Sequence, residues 1–174
     1  VTNFSATAAI SSGALFLSGG TFTLTGPLTT VGANAHLTVG GTLNLGSFTT
    51  TVGGNFATTG AGVFQSAIAT TQLNVTGNVS IAGGASTATA GQLQVGRNFV
   101  QGGAANAFVA SGTHRTLISG SAGVAQNITF ANAPTSRFNR LDIVDITRNI
   151  VIQSNVFVAD TLLMRGGSGA SNLI

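Results

Sequence analysis

Short runs reading apolar, polar, apolar recur along the whole chain, joined by small tight connections. Phe22-Thr23-Leu24, Leu37-Thr38-Val39, Leu43-Asn44-Leu45, Leu73-Asn74-Val75, Val79-Ser80-Ile81, Leu93-Gln94-Val95, Ile128-Thr129-Phe130 and Leu141-Asp142-Ile143 share this form. A period of two puts the apolar pair on one face and the polar residue on the other, so each run predicts a strand of about three to five residues. Many runs are paired across a common unit: apolar, x, Gly-like, Asn or Thr, apolar. Val52-Gly53-Gly54-Asn55-Phe56, Val75-Thr76-Gly77-Asn78-Val79 and Val95-Gly96-Arg97-Asn98-Phe99 are the clearest. Leu24-Thr25-Gly26-Pro27-Leu28, Val39-Gly40-Gly41-Thr42-Leu43 and Val158-Ala159-Asp160-Thr161-Leu162 fit the same scheme. Each unit asks for a strand, a sharp corner and a second strand re-entering the same core. Gly41, Gly54 and Gly77 are expected at such corners because glycine tolerates positive φ, and Asn55, Asn78 and Asn98 because Asn does too and bonds local backbone.

The units begin at residues 24, 39, 52, 75, 95 and 158. Steps of 23 and 20 are regular and 63 is about three of them, whereas 15 and 13 are not. A period near 20 built from short strands and tight corners predicts an all-β fold, a single-stranded parallel β-helix (β-solenoid) of roughly 20–23 residues per coil. Roughly seven to nine coils would fit, right-handed by the usual sense of parallel crossovers. The whole chain, 1–174, reads as one solenoid domain. A β-sandwich is the alternative, but its hairpin dipeptides, Asn-Gly and Asp-Gly, do not occur.

Charge is nearly missing: six Arg, three Asp and no Lys or Glu among 174 residues, with residues 1–96 carrying none and 97–174 carrying all of it. Disorder is excluded by 43% hydrophobic content at a net charge of only +3. Helical bundles are excluded by 25 Gly and an excess of β-branched residues. The absence of Cys removes disulfides and thiolate metal sites. A pI of 11.7 reflects how few groups titrate. Nucleic-acid binding needs clustered cations and interleaved aromatics, which the pattern does not offer. No run is long enough for a membrane span, and the mildly apolar Ala8–Leu17 lacks the basic flank of a signal segment. The start at Val1 reads as a processed chain or an excised segment. Four Asn-x-Ser/Thr triplets, at Asn3, Asn74, Asn78 and Asn127, are what chance gives in so Asn- and Thr-rich a chain.

Leu93-Gln94-Val95-Gly96-Arg97-Asn98-Phe99, Phe108-Val109-Ala110-Ser111-Gly112-Thr113, Gln126-Asn127-Ile128-Thr129-Phe130 and Phe138-Asn139-Arg140-Leu141-Asp142-Ile143 resemble the repeats of bacterial secreted β-helix proteins, the large adhesins and haemagglutinin-like surface proteins. The resemblance covers about 93–165 best. It implies a right-handed β-helix and an extracellular structural or adhesive role on a prokaryotic cell surface.

Chemistry has little to draw on. Asp142 and Asp145 are three apart and would point to opposite faces of a strand, so they and Asp160 read as solvated carboxylates pairing with Arg137, Arg140 or Arg148. His36 and His114 read as turn or surface residues, since no nucleophile elbow accompanies them. No catalytic residue, metal site or cofactor is expected, and the chain is not expected to be an enzyme. Phe48, Phe56, Phe64, Phe99, Phe108, Phe130 and Phe138 are expected in the core. Asn44, Asn55, Asn74, Asn78 and Asn98 are expected to bond up and down the stack as a ladder.

Function is then read from what is missing. Open solenoid ends expose strand edges, and edge-protecting Lys and polar caps are absent from both termini. Val1, Phe4, Leu15, Leu17, Leu173 and Ile174 are the candidate assembly contacts. The expected role is an extracellular, self-assembling subunit of a filament, sheath or surface layer, its partner a second copy bound head-to-tail or laterally. The alternatives are a stalk or glycan-binding segment of a large secreted adhesin, and an ice-binding or polysaccharide-acting β-helix, the ice reading resting on clusters such as Thr21/Thr23/Thr25 and Thr49-Thr50-Thr51.

Overall fold

The structure, a computed structural model, describes residues 13–120, 125–144 and 150–165, and the backbone of 2–4 and 9–10. The chain winds through three parallel sheets, its strands numbered in chain order. The first stacks β1 (Thr2–Phe4), β4 (Thr21–Leu24), β7 (Thr42–Asn44), β10 (Val63–Ser66), β13 (Ser86–Ala88) and β16 (Phe108–Ala110). The second stacks β2 (Ala9–Ile10), β5 (Leu28–Thr30), β8 (Thr49–Val52), β11 (Gln72–Val75), β14 (Gln92–Val95), β17 (Arg115–Ile118), β19 (Phe138–Ile143) and β21 (Val158–Met164). The third stacks β3 (Leu15–Leu17), β6 (Leu37–Val39), β9 (Phe56–Thr58), β12 (Val79–Ile81), β15 (Phe99–Gln101), β18 (Gln126–Phe130) and β20 (Ile150–Ile152). Up to β18 each strand pairs with the one three places on. That rule defines a β-solenoid with a triangular coil, and among the described residues no helix and no antiparallel pair interrupts it. The β-sandwich alternative is thereby overturned.

Parallel register keeps like residues over like. On the inner side of the second sheet Val52, Val75, Val95, Ile118, Ile143 and Met164 form one column. Facing it, Leu37, Phe56, Val79, Phe99 and Ile128 form another on the third sheet. The space between is filled by phenylalanine. Phe99 lies 4.9 Å from Phe138, 5.2 Å from Phe108 and 5.4 Å from Phe130, ring centre to ring centre, and Phe108 reaches Phe64 and then Phe56. Phe48 packs against this core half-buried.

The six corner units are not equivalent. Those at 52, 75 and 95 turn the chain from the second sheet to the third, the one at 24 from the first to the second, and the one at 39 from the third to the first. The irregular steps of 15 and 13 are therefore moves between different corners of one triangle. The unit at 158 is no corner: residues 158–162 lie inside β21. Past β18 the first sheet ends. Residues 131–137 cross that side without a strand, their one strand-type pairing with it an isolated bridge from Val109 to Arg137.

The corner glycines also need a different explanation from the one expected. Gly41, Gly54 and Gly77 are not among the positive-φ glycines, and among the described residues every positive φ belongs to a glycine, so no corner Asn adopts one. The three are buried under the neighbouring coil. A Cβ on Gly41 would come within 2.5 Å of the Gly20 carbonyl oxygen, and one on Gly77 within 2.5 Å of the Gly54 oxygen. These corners require glycine for close approach of backbone to backbone.

Candidate functional site

Three features of the column bear on function: a side-chain ladder down one corner, a charged cluster on the second sheet, and the last described coil. At the corner between the second and third sheets, His36 Nδ1 accepts the Asn55 N–H at 2.8 Å, Asn55 Oδ1 the Asn78 N–H at 2.8 Å, Asn78 Oδ1 the Asn98 N–H at 3.1 Å, and Asn98 Oδ1 the Asn127 N–H at 2.9 Å. The steps are 19, 23, 20 and 29 residues, one coil each. Each link joins a side chain to the backbone of the next coil, satisfying an N–H that the corner takes out of the sheet ladder. Asn44 and Asn74 stand apart from it. Asn44 bonds the Gly46 N–H of its own turn, and the Oδ1 of Asn74 is buried on the second sheet. His36 and Asn127 extend the ladder beyond the expected set, and only the coil register reveals them. A shallow depression of about 420 Å³ runs past His36, Asn55, Asn78 and Arg97 along this corner.

Ser residues, two of them buried, play a similar part elsewhere. Ser86 and Ser136 accept the N–H of Phe64 and Phe108 in the preceding coil, each at 3.2 Å, and Ser154 accepts that of Phe130.

His114 departs from its expected surface position. It points into the core, fully buried, with Nδ1 3.0 Å from the Ala90 carbonyl and its ring edge-on to Phe108. The Nδ1–H donates to that carbonyl, which leaves a buried Nε2 without a partner. Burial lowers its pKa below 6.5, the Ala90 bond opposing in part.

Asp142 departs likewise. It sits on the outward side of β19 yet is wholly covered. Arg140 Nε donates to Oδ1 at 3.1 Å, Arg115 Nε lies 2.9 Å from Oδ2, and Arg165 Nη2 lies 3.7 Å from Oδ2. It is the buried hub of a charged cluster and not a solvated carboxylate. Asp160 is exposed on β21, while Asp145 and Arg148 lie outside the described residues. Among the described residues no three His, Asp or Glu side chains gather to hold a metal, and no helix is long and apolar enough to cross a membrane.

Of the candidate assembly contacts, Leu17 is buried and Leu15 is half-buried against the core, so neither offers an open apolar surface. Phe4 lies in β1, the outermost described strand of the first sheet, with only its backbone described. Val1, Leu173 and Ile174 lie outside the described residues. Phe16, between Leu15 and Leu17 on the outward side of β3, is 58% exposed, and at the other end core-side residues that the sequence did not single out are open as well. Leu162 and Met164 are on the core side of β21, opposite buried Leu141 and Ile143, yet are 49% and 42% exposed, while Phe157, 44% exposed, precedes the strand between the core-packed Val156 and Val158.

The arrangement makes the chain a β-solenoid protein. Compared with protein-family models, curated proteins and solved structures, it matches none.

Proposed function

We propose that this chain is an extracellular structural protein, a subunit that assembles into a filament, sheath or surface layer by stacking solenoid coils end on end. The observation that carries the reading is the apolar floor of the last described coil. Leu162 and Met164 stand where every earlier coil is covered by the next one, and among the described residues β21 is the outermost strand of its sheet. A further coil laid there would hide that floor and extend the second sheet by strand addition. No catalytic residue takes part.

Electron microscopy and light scattering of the purified protein test this. Long polymers are expected, and Leu162→Asp with Met164→Asp should leave monomeric rods with unchanged β content. A wild-type protein that remains a short rod at high concentration overturns the reading.

The same uncovered floor would also be covered by further coils of one longer chain. That is the stalk of a large secreted adhesin, to which the repeats around 93–165 are similar. A reading frame continuing in coils beyond these residues favours the stalk. Outward threonines stack over only two rungs, as Thr29 on Thr51, before Asn74 follows, so a flat Thr array for ice does not form there.

A further inference from the structure

The outer face of the second sheet carries a charge arrangement that coil stacking does not use. Arg115 and Arg140 are direct partners on adjacent strands, one rung apart, where like charges repel unless an anion stands between them. Asp142 is that anion, but among the described residues one carboxylate faces three guanidinium groups, which leaves two positive charges in excess. Arg115 and Arg140 both approach Asp142 through Nε. Arg140, hydrogen-bonded at Nε, is fixed in orientation while its terminal amino groups remain to bind a second acceptor, and Arg115 is held by ion pairing, its Nε making no aligned hydrogen bond. The three side chains are 33%, 40% and 54% exposed, so those groups reach solvent.

Next to the cluster, Arg115 pairs with Gln92 and Gln92 with Gln72, and a depression of about 300 Å³ lies between Gln72, Gln92, Thr113 and Arg115. Amide groups thus continue the row at the rung spacing of about 4.8 Å, each able to donate to and accept from a hydroxyl.

We propose that Arg115, Arg140 and Arg165, oriented by the buried Asp142, bind the anionic groups of an acidic polysaccharide whose sugars run along Gln92 and Gln72. The shared chemistry is a pair of anionic oxygens, carboxylate or sulfate, which a guanidinium fork accepts. A nucleic acid fits less well, because this row supplies amides where base stacking needs aromatic rings.

Affinity electrophoresis and calorimetry on the full chain, as monomer or polymer, test this with a polyuronate, a sulfated galactan, a neutral glucan and a single-stranded oligonucleotide. Retention by the polyuronate, the galactan or both is expected, weakening as salt rises, and the two arms tell carboxylate from sulfate. Arg115→Gln with Arg140→Gln and Asp142→Asn extends the amide row without leaving a buried charge unpaired, and should weaken binding about tenfold or more, about 1.4 kcal/mol per factor of ten. Arg165→Gln, at the rim, is safe for folding and should weaken it about threefold by loss of one charge-assisted contact. Failure to bind either acidic polymer, equal binding of the neutral glucan or the oligonucleotide, or unchanged affinity in both variants overturns the proposal.

Discussion

Gly77 shows how little room a coil leaves. A Cβ on it would clash with Asn55 Oδ1 and lie 2.5 Å from the Gly54 oxygen, so Gly77→Ala must push two corners apart or break the Asn55–Asn78 link. We expect a loss of about 1–3 kcal/mol from overpacking, measured by chemical denaturation. Gly60, at positive φ with open space around it, has no such neighbour to displace. His114 gives a prediction in pH. Burial lowers its folded pKa beneath 6.5, so below that pH the unfolded chain takes up a proton that the folded one refuses. Above pH 6.5 both states hold the ring neutral and there is no protonation penalty, and stability falls as pH drops below it, by at most about 1.4 kcal/mol per pH unit. Denaturation curves at pH 7.5 and 5.5 for wild type and His114→Asn check this, and the variant should lose that part of the difference. The burial of His114 was not legible beforehand, because a single His beside Gly112 and Thr113 looks the same whether its strand turns in or out.

At the scale of the element, the corner ladder replaces the bonds that a sheet would supply. Asn78→Ala removes the acceptor of the Asn98 N–H, leaving a partly buried donor unpaired at a cost of about 1–3 kcal/mol. Asn78→Asp keeps an acceptor oxygen in the same place and should retain most of the stability, which thermal melts of the two variants would compare. The Asn–corner pattern was visible as apolar-x-Gly-Asn-apolar, because local chemistry restricts what a corner accepts. Its extension to His36 and Asn127 was not. Those residues share no local motif with Asn55, and only the coil that brings position 36 under 55, and 98 under 127, makes them members. The even spacing assumed for the corners failed for the related reason that a triangular coil has three corners of similar composition. Asp142 shows the same limit: its carboxylate is covered by Arg115 from the preceding coil and Arg165 from the next, and separations of 27 and 23 residues carry no visible pairing signal.

For the whole molecule, the core is a column that each coil completes only by resting on another. If assembly follows from the uncovered Leu162 and Met164, it is driven by apolar burial and should be nearly indifferent to ionic strength between about 50 and 500 mM, since salt acts on exposed charges. Light scattering across that range checks it, and dissolution of polymers by salt would point instead to Arg-mediated lateral contacts. What the chain's residues determined alone was the coil: a period-two alternation sorts each short run into an inner and an outer face, small residues mark the turns, and scarce charge leaves no other core. What only the tertiary structure decided was which distant residues share a rung. Hydrophobic pattern is a property of neighbours in sequence, whereas the Asn ladder, the Arg–Asp cluster and the core-side residues of the last described coil are defined between residues about twenty apart, brought together by the pitch of the winding.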